Sequence, residues 1–218
     1  MPRYSHIVWD WNGTLLDDAG LCVEIMNELL RRRGLPPITM DFYRAAIEFP
    51  VAAYYEKLGF DFTAESFERV SGEFVSLYQA GWRDCPLQEG AQVALVEFKA
   101  AGVGQSVLSA SRSDYLEEQL EYFGIRGLLC AVTGADNHHG RGKLHIAKEH
   151  LSALGLDPER VLFIGDTQHD AEVAEEAGCA CLLVSFGHYN TERLSFLGLP
   201  VAQDFNGILD FQASLHRI

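Results

Sequence analysis

The chain alternates short apolar runs with amphipathic segments along most of its length. The apolar runs predict buried strands, which we place at 7–9, 103–108, 128–132, 160–164, 180–184 and 200–202. Apolar residues at helical spacing predict helices between and after these strands, at 88–101, 113–122, 143–154, 168–177 and 206–215. Strands that alternate with helices of this length form parallel sheets with right-handed crossovers. We therefore expect a doubly wound, Rossmann-like α/β fold.

One long segment after the first strand departs from this alternation. Helical spacing predicts four helices there, over 18–33, 40–48, 51–57 and 64–80, with no strand among them. Gly34 and the Pro36-Pro37 pair end the first of these helices. A helical block between two strands of an α/β fold indicates an inserted cap. We therefore predict two domains, an α/β core at 1–16 and 84–218 and a helical cap at 17–83.

Polar residues stand where several predicted strands end. Asp10, Ser109 and Asp166 come directly after strands, and Lys143 begins the helix that follows another strand. A single aspartate after a strand is more often a turn or helix-cap residue. However, the carboxyl ends of parallel strands meet at one edge of the sheet. We therefore expect these four side chains to converge on one site.

The chemistry of these residues suits a phosphate group and a divalent cation. The two carboxylates can hold Mg²⁺, which prefers oxygen ligands. Ser109 and Lys143 can bind phosphate oxygens, and the backbone N–H groups of the turn Asp10–Gly13 can form an anion-binding concavity. Asp170 follows Asp166 closely enough to orient a metal-bound water or a ligand.

The charge of the chain limits its partners. A formal net charge of −14 and a pI near 4.9, without a basic stripe, argue against nucleic acid and anionic membranes. A local metal and a lysine can still attract a small phosphorylated metabolite. The 5 cysteines include no C-x-x-C pair, which favours free thiols in a reducing compartment. We see no signal peptide and no apolar run of membrane-spanning length, and therefore expect a cytoplasmic protein.

Together these segments resemble the haloacid dehalogenase-like (HAD) hydrolase superfamily, in particular its phosphoglycolate phosphatase and β-phosphoglucomutase group. The resemblance covers essentially the whole chain, including the cap. It rests on four motifs in order, which are Asp10-Trp11-Asn12-Gly13-Thr14, Ser109, Lys143 and Gly165-Asp166-Thr167-Gln168-His169-Asp170.

The resemblance implies a phosphatase that hydrolyses a small, phosphoglycolate-like monoester as a monomer or homodimer. Asp10 would be the nucleophile and form an aspartyl-phosphate. Mg²⁺ would be bound by Asp10, the backbone carbonyl of Asn12 and Asp166, with Asp170 beside them. The phosphoryl group would be held by Ser109 and Lys143 and by the two loops that contain Asp10, Trp11, Asn12 and Ala110. Cap closure would exclude water, with Arg44 and the loop Glu48-Phe49-Pro50 as candidate selectors of the substrate.

Asn12 is a departure from the family pattern, in which an aspartate at this position protonates the leaving group. An amide can hydrogen-bond a leaving oxygen but cannot act as its general acid. The enzyme could therefore be slow or use a good leaving group. Alternatively, a histidine could supply the proton, although solvated loop histidines are commoner; the candidates are His138, His139, His169 and His188.

Two further explanations for an asparagine at position 12 remain open. The chemistry could differ, as in phosphonoacetaldehyde hydrolase, which uses a cap lysine as a Schiff base; Lys57 is the cap lysine here, although its position favours a solvated helix end. The intact Asp166 and Asp170 pair disfavours the metal-free haloacid dehalogenases. Finally, the chain could be a phosphate-binding protein without turnover.

Overall fold

The computed structural model of the 218-residue chain describes residues 4–135 and 143–214. The strands are β1 (His6–Trp9), β2 (Gly104–Arg112), β3 (Ala131–Ala135), β4 (Val161–Gly165), β5 (Ala180–Val184) and β6 (Val201–Ala202). The helices are α1 (Ala19–Arg32), α2 (Met40–Ala46), α3 (Val51–Lys57), α4 (Phe67–Gly81), α5 (Ala91–Ala100), α6 (Ser113–Tyr122), α7 (Lys143–Ala153), α8 (Gln168–Ala177), α9 (Thr191–Ser195) and α10 (Phe205–Ser214). Short 3₁₀ helices lie at Trp82–Asp84, Arg126–Leu128 and Pro158–Arg160.

The six strands form one parallel sheet in the order β3-β2-β1-β4-β5-β6. Strand β1 lies at the centre, where His6 pairs with Gly104 of β2 on one side and with Val161 of β4 on the other. The strand order reverses beside β1, and ligands bind at such a point, at the carboxyl ends of the strands. The predicted α/β class is confirmed.

Both faces of the sheet are buried, which explains why the sequences of its strands are continuous apolar runs. Along β1, Ile7 and Trp9 belong to one apolar cluster and Val8 belongs to another. Helices α5, α6 and α10 contribute to the first cluster, whereas α7, α8 and the helices between β1 and α5 contribute to the second. The sheet is therefore doubly wound, as predicted.

The segment assigned to the cap contains four helices, α1 to α4, and no strand in its described residues 17–83. Its two connections to the core run side by side, because Leu16 and Leu87 form an antiparallel bridge and the Asp17 N–H donates to the Pro86 carbonyl at 3.0 Å. These contacts lie next to residues 17 and 83, the predicted boundaries of the cap. The division into two domains stays a prediction.

Local contacts explain where the elements differ from the predicted bounds. Helix α4 begins at Phe67 rather than near 64, because Ser66 caps it by accepting the Arg69 N–H at 3.4 Å. Strand β2 continues past Leu108 with a shift in register, and β3 begins later than predicted because residues 126–128 form a 3₁₀ turn. Helix α9 was not predicted. No helix in the described ranges has both the length and the apolar character needed to cross a membrane.

Candidate active site

Three buried carboxylates meet at the carboxyl ends of β1 and β4. Asp10 directly follows β1, and its N–H donates to the Ile164 carbonyl of β4 at 2.8 Å. Asp166 directly follows β4, and Asp170 lies in the first turn of α8. One oxygen of each of these carboxylates lies within 4.8 Å of the others, and the residues are at most 7% exposed. The predicted convergence of Asp10 and Asp166 is therefore observed.

The loop after Asp10 folds back tightly on itself. The Trp11 carbonyl accepts from the N–H groups of Leu15 and Leu16 at 2.9 and 3.0 Å. Gly13 has a φ of 75°, and a Cβ on it would lie 2.3 Å from Asp166 Oδ2. Only glycine meets both conditions. The Trp11 ring is buried and its Nε1–H donates to Gln119 Oε1 at 2.6 Å, which anchors the loop to the core.

Local structure holds the second and third carboxylates in place. Asp170 forms a capping box with Thr167, because Thr167 Oγ1 accepts the Asp170 N–H at 3.4 Å and Asp170 Oδ2 accepts the Thr167 N–H at 3.0 Å. The same Oδ2 also accepts the Asp166 N–H at 3.1 Å. Asp166 accepts from the Thr14 hydroxyl at 3.2 Å and from the His188 N–H at 2.5 Å. Burial raises the pKa of Asp166, and the nearby Asp170 carboxylate raises it further.

A divalent cation fits this arrangement. Buried carboxylates at this spacing repel one another unless a positive charge lies between them. The donors are all hard oxygens, which Mg²⁺ prefers. Glycines clear the space around them, since a Cβ on Gly187 would lie 2.2 Å from Asp166 Oδ2 and one on Gly165 would lie 2.3 Å from Asp170 Cγ. The predicted role of the Asn12 carbonyl stays a prediction.

The predicted phosphate-binding residues lie on neighbouring elements. Ser109 is buried near the end of β2, beside β1, and its Oγ accepts the Ser111 N–H at 3.0 Å. Ala110 is exposed at the same strand end. Lys143 begins α7, but its side chain lies outside the described part of the chain, as do His138 and His139. The binding roles of Trp11, Ser109, Ala110 and Lys143 stay predictions.

Asn12 is held by a hydrogen-bond network that the sequence did not predict. Its Nδ2 donates to Asp18 Oδ2 and to the Tyr78 hydroxyl, each at 2.7 Å. Its Oδ1 accepts from the Ser111 hydroxyl at 2.7 Å. Asp18 precedes α1 and Tyr78 belongs to α4, so this network joins the core loop to the helical segment.

Asp18 is buried and pairs with a buried histidine. Its Oδ1 accepts the Gly13 N–H at 2.9 Å and lies 3.4 Å from His188 Nε2, while His188 Nδ1 lies 3.0 Å from the Tyr43 hydroxyl. Burial lowers the pKa of His188, but Asp18 and Asp166 outweigh burial and raise it to about 9. Burial raises the pKa of Asp18, yet His188, Asn12 and Tyr78 hold it below its usual range. The expectation of a solvated His188 is therefore wrong.

The other candidate side chains have structural partners. Arg44 donates from Nε to the Gly187 carbonyl and from Nη2 to the Phe186 carbonyl, both at 3.0 Å. It therefore ties α2 to the loop after β5. Lys57 is exposed and forms an ion pair with Glu48 at 2.6 Å. His169 lies 3.6 Å from Glu172, and its ring centroid lies 6.0 Å from that of Phe49.

Among the residues that the sequence did not single out, Asp18, Tyr78, Ser111 and Gly187 contact the site directly. Asp18 directly precedes α1, where an aspartate in a sequence indicates a helix cap, but in the structure it makes no side-chain capping bond. Its carboxylate turns back to the loop instead. For Tyr78 and Ser111 the sequence holds no comparable signal.

The chain is similar to phosphatases over most of its length. It is 30% identical over 203 residues to a phosphoglycolate phosphatase of Caulobacter vibrioides, covering 88% of this chain and 83% of that protein. It is 27% identical over 199 residues to an N-acetylmuramic acid 6-phosphate phosphatase of Pseudomonas putida, covering 87% of this chain and 86% of that protein.

The fold is similar to that of solved structures. A predicted phosphoglycolate phosphatase from Haemophilus somnus superimposes with a TM-score of 0.81, at 21% identity, over 97% of this chain and 99% of that one. Residues 7–184 match the family described as haloacid dehalogenase-like hydrolase. The expected resemblance to the phosphoglycolate phosphatase-like group of hydrolases is confirmed. The chain belongs to the haloacid dehalogenase-like hydrolase family.

Proposed function

We propose that this hydrolase is a Mg²⁺-dependent phosphatase that cleaves a small phosphate monoester through an aspartyl-phosphate on Asp10. The observation that carries the proposal is the meeting of Asp10, Asp166 and Asp170 at the switch point of the sheet. Three buried carboxylates without a cation would repel an anionic substrate, so the arrangement favours a metal-assisted site.

Asp10, Asp166 and Asp170 would hold the Mg²⁺, with the Asn12 backbone carbonyl as a further ligand. When bound, the ion would neutralise charge on the carboxylates and on the phosphoryl oxygens. The fixed surroundings of Asp166 suit this role, since Thr14 and the His188 N–H orient its two oxygens. The glycines at 13 and 187 keep the space open beside them.

Asp10 would supply the nucleophile. A carboxylate oxygen of Asp10 forms a bond to phosphorus while the bond from phosphorus to the leaving oxygen breaks, and that oxygen takes the electron pair. Water then attacks the aspartyl-phosphate and releases inorganic phosphate, which restores Asp10. The Ser109 hydroxyl and the Lys143 ammonium would position the phosphoryl group throughout, since phosphoryl transfer depends mainly on positioning and charge stabilisation.

The names of the relatives suggest the size of the substrate. Phosphoglycolate and N-acetylmuramic acid 6-phosphate, which appear in those names, are both small phosphate monoesters. We therefore take phosphoglycolate as the first small metabolite to test. The absence of a basic stripe in the sequence and its net charge of −14 agree with a small-molecule partner rather than nucleic acid or membrane. We place the protein in the cytoplasm.

The test is phosphate release from p-nitrophenyl phosphate with Mg²⁺ and with EDTA. The parent protein should turn over only with Mg²⁺, and Asp10→Asn should abolish turnover. Asp17→Asn is a matched control, because Asp17 is an exposed aspartate outside the carboxylate cluster. Turnover that survives Asp10→Asn would reject the nucleophile. No turnover by the folded parent on any phosphate would favour a phosphate-binding protein instead.

A further inference from the structure

We propose that this phosphatase acts on phosphates whose leaving group departs as a stable anion, such as aryl, enol and acyl phosphates, in preference to esters of ordinary alcohols. The inference rests on the proposed function, because it concerns the leaving group of the same reaction. It follows from the hydrogen bonds that Asn12 and the side chains around it form with one another.

The Asn12 amide has no hydrogen left for a leaving oxygen in this arrangement. An amide carries two N–H donors, and those of Asn12 are directed at Asp18 Oδ2 and at the Tyr78 hydroxyl, each 2.7 Å away. Its Oδ1 is occupied by the Ser111 hydroxyl at 2.7 Å. Turning the amide toward a substrate would leave the buried Asp18 carboxylate without one of its donors.

The hydroxyl hydrogens of the side chains around Asn12 are also used in hydrogen bonds. The Tyr78 hydroxyl donates to Asp18 Oδ2 at 2.7 Å, and the Ser111 hydroxyl donates to Asn12. Asp18 accepts at both of its oxygens, from Asn12, from Tyr78 and from the Gly13 N–H. Among the described residues, the side chains that contact Asn12 therefore offer no acidic hydrogen beside it.

Both ring nitrogens of His188 also have partners. Nε2 faces Asp18 Oδ1 at 3.4 Å and Nδ1 lies 3.0 Å from the Tyr43 hydroxyl. The residue is 8% exposed, and its backbone N–H donates to Asp166. In the described structure, His188 therefore contacts Asp18, Tyr43 and Asp166, and its ring nitrogens are not free for a leaving group.

The consequence concerns the bond that breaks. When Asp10 attacks phosphorus, the electron pair of the breaking bond goes to the leaving oxygen. The described side chains around Asn12 and His188 supply no acid to that oxygen. It therefore departs as an anion and takes its proton from water afterwards. General acid catalysis contributes about 10²–10⁴-fold in rate where a proton is needed. Carboxylates, enolates and nitrophenolates do not need one, whereas alkoxides do.

The first test uses the parent protein. We would measure kcat/KM with Mg²⁺ for a series of aryl phosphates with leaving groups of increasing pKa, and for acetyl phosphate and phosphoglycolate. We expect kcat/KM to fall steeply along the series, with phosphoglycolate at least about 10²-fold below p-nitrophenyl phosphate. Comparable values for all these substrates would overturn the inference and leave the proposed function intact. No hydrolysis of any of them would reject the proposed function itself.

The second test exchanges the amide and the carboxylate across one hydrogen bond. The double variant Asn12→Asp/Asp18→Asn keeps the net charge and the hydrogen bond between the two positions, and it places an ionisable group at position 12. We expect phosphoglycolate hydrolysis to rise about 10²–10⁴-fold relative to p-nitrophenyl phosphate hydrolysis.

The matched control is Asp18→Asn alone, which keeps the amide at position 12. This variant should leave the ratio between the two substrates as in the parent, whatever its effect on the absolute rates. A folded exchange variant with the ratio of the parent would overturn the inference. Circular dichroism and thermal unfolding of each variant would identify a loss of rate that comes from misfolding.

Discussion

Asn12 Nδ2 lies 2.7 Å from Asp18 Oδ2, so an amide at the core loop is the hydrogen-bond donor to a buried carboxylate that precedes the first helix of the chain's helical segment. Hydrogen bonds to ionised groups are stronger than neutral ones, and a buried carboxylate that loses a donor is costly. The amide at position 12 therefore stabilises the buried Asp18 carboxylate, in addition to its effect on the leaving group.

The substitution Asn12→Asp alone should destabilise the protein. It would place two carboxylates at hydrogen-bond distance in a partly buried setting and remove a donor from Asp18. We expect the free energy of unfolding at pH 7.5, measured by urea denaturation, to fall by about 1–3 kcal/mol. The exchange variant Asn12→Asp/Asp18→Asn should recover most of this loss. Equal stability of the parent and the single variant would contradict the described network.

Gly187→Ala should abolish Mg²⁺-dependent hydrolysis. A Cβ at this position would lie 2.2 Å from Asp166 Oδ2 and 2.6 Å from the Gly13 carbonyl oxygen, so the carboxylate must move. Gly72→Ala is the control, because a Cβ on this helical residue meets no atom within 4 Å. Activity should be lost in the first variant and kept in the second, with p-nitrophenyl phosphate as the substrate. Full activity of Gly187→Ala would show that the position of Asp166 is unimportant.

Mg²⁺ should stabilise the parent protein against unfolding. A ligand that binds only the folded state adds about 2.7 kcal/mol when its concentration is 100 times its Kd. Asp166→Asn removes a charge from the three-carboxylate cluster and should largely remove this gain. The measurement is the midpoint of thermal unfolding with increasing Mg²⁺, against the same ionic strength of NaCl. An identical Mg²⁺ response in the two proteins would argue against a metal at this cluster.

Acid should destabilise the fold through two buried histidines away from the carboxylate cluster. His6 Nε2 and His150 Nε2 each lie 2.8 Å from the Ser106 hydroxyl. Burial lowers the pKa of both from 6.5 to about 4, and His150 also lowers that of His6. A lowered pKa means that the folded state prefers the neutral ring. The stabilisation is therefore complete above pH 6.5 and is lost as the pH falls toward 4.

This effect is measurable by urea denaturation in EDTA at several pH values between 7.5 and 4.5. A shift of this size corresponds to a loss of about 2–3 kcal/mol for each histidine by pH 4.5. His150→Gln should flatten the decline, whereas His169→Gln, which lies beside Glu172 at the surface, should not. A decline of the same steepness in His150→Gln would show that other groups cause the acid lability.

Much of the fold and part of the site follow from patterns within short segments. In the described part of the chain, apolar runs and helical spacing predicted the six strands and nine of the ten α-helices, because each element must bury its own apolar face. Asp10 and Asp166 were predictable because carboxyl ends of parallel strands share one edge. The short helix α9 was missed, since it buries only Leu194.

The partners of Asn12 could not be predicted in this way. Tyr78 and Ser111 are 66 and 99 residues away along the chain, and no periodicity links them to the loop. His188 was expected to be a solvated loop residue, but the packing of α2 and the loop after β5 buries it beside Asp18. These contacts depend on how the helical segment docks on the core.

The sequence by itself determined the α/β class, the family and the carboxylates at the strand ends, because these depend on local periodicity and on the common direction of parallel strands. Only the tertiary structure decided what the amide at position 12 does. Its two N–H groups donate to the buried Asp18 carboxylate and to the Tyr78 hydroxyl, and folding brings these two acceptors together. In the sequence, Asn12 stands where the family pattern has an acidic residue. In the structure, it is a hydrogen-bond donor to the buried Asp18 carboxylate.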